Sequence, residues 1–190
     1  MSEYDIEINA SDATIEQILK DNCKKFLGLR FVDNQIQTPA GIIDILARHP
    51  ETGTYFVIEL KKDTLDTHAL AQVLKYTKIM NANKTGGGKR LFVPLLIGRN
   101  LPEELNKCVL HYEPDDGHSA HDIYYTLYGF DPVRGMSFNY WSIAQEEYAS
   151  EHLYAGDHYC AAQLDNEIHR HFLTWKELEP FKTEPERVDN

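Results

Sequence analysis

Ile42-Ile43-Asp44-Ile45-Leu46-Ala47 and, one turn later, Tyr55-Phe56-Val57-Ile58-Glu59-Leu60-Lys61 are the two stretches on which the reading of this chain turns. Both are strand-like and apolar, and each interrupts its apolar run with a carboxylate. An aspartate in such a strand is expensive to bury unless it is paired or set against a cation. Strand side chains alternate, so Tyr55, Val57, Glu59 and Lys61 share one face and Phe56, Ile58 and Leu60 the other. A neighbouring strand can bring Asp44 to the same place. Two adjacent carboxylates repel and raise one pKa unless a divalent cation lies between them. Hard oxygen ligands with room for water are what Mg2+ prefers. Lys61 then sets a positive charge beside the cation, where it orients a water or steadies charge building on a phosphate.

Working outward, Pro39-Ala40-Gly41 and Pro50-Glu51-Thr52-Gly53 read as tight turns, and residues 30–38 as a loosely alternating, half-exposed strand. Before them, Ser11 or Asp12 can cap a helix, and Thr14 to Gln17 also fits a capping box. Ile15, Ile18, Leu19, Asn22 and Phe26 recur at helical spacing, which predicts a helix near 13–26 ended by Gly28. Ala69, Leu70, Val73, Leu74, Thr77 and Met80 predict a second helix near 66–82. Residues 91–97 form a buried strand, in which Pro94 suggests an edge position or a bulge. The order helix, three strands, helix, strand describes an α/β mixed sheet opened by an antiparallel meander.

Beyond residue 100 the pattern thins. It suggests a short helix over 101–110, a polar acidic loop over 113–121, a Tyr-rich strand over 123–130 and a hairpin partner over 136–143. Helices over 144–153 and 160–175 and a disordered tail from residue 182 complete the expectation. The organisation is therefore a core over 1–100, an extension over 101–180 and a tail over 181–190.

The chain has 190 residues and a net charge of −11, an unpromising balance for a protein that binds phosphate. The charge is unevenly placed. Residues 1–100 carry 13 Lys+Arg against 12 Asp+Glu, a net of +1, whereas residues 101–190 carry 6 against 18, a net of −12. A near-neutral core can hold a local basic patch, and Lys84, Lys89 and Arg90 around a triple-glycine turn are the candidates for touching a nucleic-acid backbone. That turn lacks the ending of a phosphate loop and opens a strand, not a helix. No run approaches a membrane span, and the acidic start does not fit a secretory signal. Three scattered cysteines without a CxxC pair argue for free thiols and a reducing compartment, so the cytoplasm is the expected location. Seven of the nine histidines follow residue 110, without the spacing of a four-ligand zinc site.

Three pieces in order, Gly41-x-x-Asp44, Glu59-x-Lys61 and Gln72-x-x-x-Tyr76, resemble the RecB-like branch of the PD-(D/E)xK nucleases, and within it the nuclease domain of NucS-type endonucleases. The likeness covers roughly residues 13–97. It implies a restriction-endonuclease-like fold and metal-dependent hydrolysis of phosphodiester bonds in DNA. Asp44 and Glu59, with the backbone carbonyl of Leu60, would ligate Mg2+ or Mn2+, and Glu16 matches a helix glutamate placed near the metal. Lys61 would position the attacking water, while Gln72 and Tyr76 would hold the lysine and the scissile phosphate. The motif departs from its relatives at Ile42, where many carry a basic or polar residue. Two other readings stand beside the enzyme: a binding module that keeps the fold without the chemistry, and an acidic interaction protein. The acidic half suits a homodimer contact or the docking of a basic protein partner.

Overall fold

Ser11 starts the first helix by accepting the N–H of Thr14 at 3.1 Å, which satisfies one of the orphan donors of the first turn. The helix, α1 (Asp12–Leu27), ends at Gly28, whose φ of 65° lets its N–H reach the carbonyl of Lys24 at 3.0 Å. The computed structural model describes residues 11–82, 91–110, 123–138, 142–143 and 172–181. After α1 come β1 (Arg30–Thr38), β2 (Gly41–Arg48) and β3 (Tyr55–Leu60), then α2 (Thr67–Ala82), β4 (Phe92–Gly98) and α3 (Glu103–Leu110). The described remainder is β5 (Tyr124–Asp131), β6 (Gly135–Phe138), β7 (Ser142–Ile143), β8 (Phe172–Leu173), α4 (Trp175–Leu178) and a 3-10 turn at Glu179–Phe181.

These strands make one mixed sheet in the order β1-β2-β3-β4-β5-β6-β8, with β7 also on β5. The β1-β2-β3 meander is antiparallel, while α2 and α3 provide the crossovers that make β3, β4 and β5 parallel. Each face has its own apolar layer. Phe56, Ile58 and Leu60 pack with Ile15, Ile18 and Leu19 of α1, and Val57, Leu46 and Leu96 pack with Leu70 and Val73 of α2. The alternation expected for residues 55–61 is thus the division between the two cores. The α1-side core continues through Tyr128, Met136 and Leu178, so the described parts of the second half extend the first half's sheet and core.

Three expectations need correction. Pro94 lies on no edge and at no bulge: β4 is buried between β3 and β5, with Pro94 in register with Val57. The N–H of Tyr55 reaches the carbonyl of Leu91, and that of Lys61 the carbonyl of Ile97, so odd-numbered residues of β4 bond toward β3. Pro94's missing donor therefore faces β5, whose pairing with β4 begins only at Leu95↔Tyr124. Second, the helix expected over 160–175 does not include its described end. Phe172 and Leu173 pair with Ser137 and Met136, and Thr174 then caps a new helix in a reciprocal capping box with Glu177. Third, the hairpin partner expected over 136–143 is divided: β6 pairs with Tyr128–Asp131, and β7 separately with Tyr124 and Tyr125. The expected acidic loop, the 144–153 helix, the tail and the clustered histidines lie outside the described residues. No helix among the described residues is long and apolar enough to cross a membrane.

Candidate active site

The pairing of β2 with β3 runs from Arg48↔Tyr55 to Ile45↔Ile58 and stops there. One step further stand Asp44 and Glu59. Val57, two residues before Glu59 on β3, belongs to the α2-side core, so Glu59 turns toward that face, while Asp44 reaches the end of β3 from the neighbouring strand and also feels the charges of Glu16 and Asp12 on α1. In place of another backbone rung, the Asp44 carboxylate accepts the N–H of Leu60 at 2.8 Å. The next N–H, that of Lys61, bonds the carbonyl of Ile97 at 2.8 Å, which ties this end of β3 to β4. The location suits a site: open α/β sheets bind ligands beyond the carboxyl ends of their parallel strands.

Glu59 is 2% exposed. One of its oxygens takes the Lys61 ammonium at 3.1 Å, and the other, Oε2, is buried with no partner. Burial first, then the Asp44 charge, push its carboxyl up to about 7, against the opposing pull of Lys61. Burial also raises Asp44; the Leu60 N–H opposes the rise and the nearby Glu16 charge adds to it. Burial pulls the Lys61 ammonium down, but the hydrogen bond and charge of Glu59, with Asp44 and Asp66, outweigh it and leave its pKa above the ordinary value. An unfolded chain releases the Glu59 proton near 4.5, the metal-free native protein only near 7. Between those values the native state binds more protons, so its stability falls as pH rises across the window. Metal-free Glu59→Gln is therefore expected to melt above wild type at pH 7.5, by on the order of 2 kcal/mol, and to lose that advantage toward pH 4.5. Paired thermal melts in chelator across this range check it.

Gln72 and Tyr76 sit four residues apart on α2, the Gln72 amide donating to the Tyr76 hydroxyl at 3.3 Å. Tyr76 is buried at 2% exposure, and the Gln72 carbonyl oxygen is buried without a donor. Sequence reasoning had no means of seeing what seats this tyrosine. Gly41 has φ of 136°, and a Cβ there would lie 2.5 Å from the Tyr76 hydroxyl. The motif glycine is thus the floor under the motif tyrosine. Gly41→Ala should cost about 1–3 kcal/mol from backbone strain alone and push Tyr76 away from β2. Thermal melts, and the tyrosine ring signals of an NMR spectrum, read the two effects separately.

Glu16 does not join the carboxylate pair. Its oxygens accept the side-chain amides of Asn34 at 2.9 Å and Gln35 at 2.7 Å. Gln35 has φ of 52°, the only positive value outside glycine among the described residues. No group of three or more His, Cys, Asp or Glu converges to hold a metal among the described residues. Two carboxylates nevertheless match Mg2+, which keeps several waters and commonly takes only one or two from the protein. Ile42, at the start of β2, is 40% exposed. Lys84, Lys89 and Arg90 lie outside the described residues.

No protein-family model and no curated protein matches the chain. Similarity is found to solved structures. A complex of EndoMS with double-stranded DNA is 18% identical, with 57% of this chain and 41% of that one covered and a TM-score of 0.46. A repair endonuclease from Pyrococcus abyssi is 19% identical, with 53% and 43% covered and a TM-score of 0.45. EndoMS in its apo form is 20% identical, with 53% and 42% covered and a TM-score of 0.44. The chain spans less than half the length of each.

Proposed function

We propose that this chain hydrolyses phosphodiester bonds in DNA with a divalent cation, Mg2+ or Mn2+, held by Asp44 and Glu59. The observation that carries the reading is the partnerless Oε2 of Glu59, buried beside a second carboxylate. A buried acceptor in that setting is stabilised either by a proton or by a cation. Bound there, such an ion supplies Lewis acidity toward the scissile phosphate and toward a water.

The protein's own groups have separable tasks. Leu60 holds the Asp44 carboxylate through its N–H, and its carbonyl, on backbone anchored at consecutive N–H groups, is proposed as a further oxygen ligand. Lys61 keeps its proton more firmly than a free lysine, so it serves as a donor and a fixed positive charge, not as a base. Within reach of Glu59, it orients the attacking water and offsets charge gathering on the phosphate. Gln72 fixes the Tyr76 hydroxyl and offers its empty carbonyl oxygen to a water or to Lys61. Glu16, already held by two amides, is proposed to bias the site by its charge from outside the ligand set. DNA as the substrate follows the motif resemblance. Purified protein incubated with labelled single-stranded, duplex and branched DNA, and with RNA, in Mg2+, Mn2+ or chelator tests the whole reading. Metal-dependent cleavage of DNA is the expected result. A protein that binds no metal and cuts nothing is the inert binding module instead.

A further inference from the structure

Gln35 is strained. Its φ of 52° is left-handed, a conformation that glycine enters freely and glutamine rarely. It lies inside β1, shortly after the bulge between Phe31 and Asp33. The rungs of the β1–β2 ladder pair Asn34 with Ile45 and Ile36 with Ile43, and pass over the two residues between them, Gln35 and Asp44. The strained residue of β1 therefore stands across from the aspartate of the candidate site.

What the strain achieves is visible in the side chains. Consecutive residues of a regular strand point to opposite faces, yet the amides of Asn34 and Gln35 both reach one carboxylate. Asn34 donates to one oxygen of Glu16 at 2.9 Å, and Gln35 to the other at 2.7 Å. The left-handed backbone at Gln35 makes the second bond possible. The carboxylate so held is half-buried on α1, and its charge acts on Asp44. Asp12, the other α1 carboxylate whose charge reaches Asp44, is engaged by the Lys62 N–H at 2.6 Å.

Without a cation this arrangement is unfavourable twice over, since it strains the backbone and holds a like charge near Asp44. A divalent cation beside Asp44 reverses the second effect. Each Glu16 oxygen, with one amide donor, retains capacity for another. Mg2+ keeps several waters, whose hydrogens need acceptors.

We propose that Asn34 and Gln35 are positioning residues, which clamp Glu16 as an outer acceptor for waters carried by a cation on Asp44 and Glu59. The proposal rests on the nuclease reading above and deepens it. Glu16 strengthens metal binding without being a ligand, and the clamp fixes where it does so. Loss of an outer partner of this kind typically weakens metal binding by about 10–100-fold.

The test is a double-variant cycle read by Mg2+ calorimetry on the full chain without DNA, with melts in chelator to show that each variant folds. Gln35→Gly deletes the amide and retains the left-handed backbone, so it separates the clamp from the path of the strand. Glu16→Gln should weaken Mg2+ affinity about tenfold. Gln35→Gly should weaken it about three- to tenfold, and the two together no more than Glu16→Gln alone, because the clamp acts only through Glu16. A strand merely loosened at Gln35 would lower the melting temperature and leave the affinity unchanged, or add its loss to that of Glu16→Gln. Either result, or an unchanged affinity in Glu16→Gln, overturns the clamp and leaves Asp44 and Glu59 as the proposed ligands. Mg2+ binding abolished in Glu16→Gln, as expected for Asp44→Asn, puts Glu16 among the ligands and overturns the clamp too. A wild type that binds neither Mg2+ nor Mn2+ overturns the nuclease reading as well. Should Gln35→Gly fail to fold, Asn34→Ala takes its place in the cycle.

Discussion

Lys61→Ala is expected to lose cleavage by about 10²–10³-fold or more while still binding metal and DNA. The size follows from where the charge acts. In the proposed metal-bound ground state Lys61 would be one of two partners of the Glu59 carboxylate, the cation being the other, so its loss should be tolerated. In the proposed transition state extra negative charge would gather on the phosphate beside it, and among the described residues only the Lys61 ammonium is bonded to Glu59. Binding and chemistry are then separable. Mg2+ at about 100 times its dissociation constant should stabilise Lys61→Ala by about 2.7 kcal/mol, the same as is expected for wild type. For a chain of this size that is a rise of roughly 5–10 °C in melting temperature. Single-turnover cleavage and metal-titrated melts of the same preparation are the measurements. Metal-dependent cleavage at wild-type rate by this variant would remove Lys61 from the centre.

Asp44→Asn and Glu59→Gln should instead abolish metal binding and cleavage together. With only two side-chain carboxylates converging, losing either leaves the ion one charged ligand, and no third is at hand among the described residues. Calorimetry should find no Mg2+ binding at millimolar concentration, and cleavage should fall to background. The two variants differ without metal. Glu59→Gln removes a buried charge and is expected to be the more stable protein above pH 7. Asp44→Asn also weakens the acceptor that holds the Leu60 N–H, so it should gain less or nothing. A Glu59→Gln protein whose melting temperature still rises with Mg2+ would place the cation elsewhere.

Much of this centre was legible in the sequence because its signal is local. A carboxylate inside an apolar strand is conspicuous, and period-two alternation places Glu59 and Lys61 on one face without reference to the rest of the chain. The helices were legible from period and caps. What escaped depended on contacts between distant segments. Gly41 reads as a turn residue, and only the packing of α2 against β2 shows that it seats Tyr76. Glu16 lies in the right helix, but its engagement by Asn34 and Gln35 depends on a left-handed residue in β1 that composition does not announce. Phe172 and Leu173 continue an apolar, helix-like run, yet the cap at Thr174 and pairing with β6 make them a strand.

Pro94 has a consequence beyond its own position. A parallel neighbour can slide along a regular strand, and a one-residue slip would turn every side chain of β5 to the opposite face. At Pro94 the side of β4 facing β5 has no donor to offer, so a slide of β5 toward the start of β4 meets a missing rung. Proline here is a registration pin. The register it guards is the one that brings the Tyr128 hydroxyl onto the Lys62 carbonyl. An imino acid in the middle of the sheet thereby bears on where the fifth strand meets the loop at its rim.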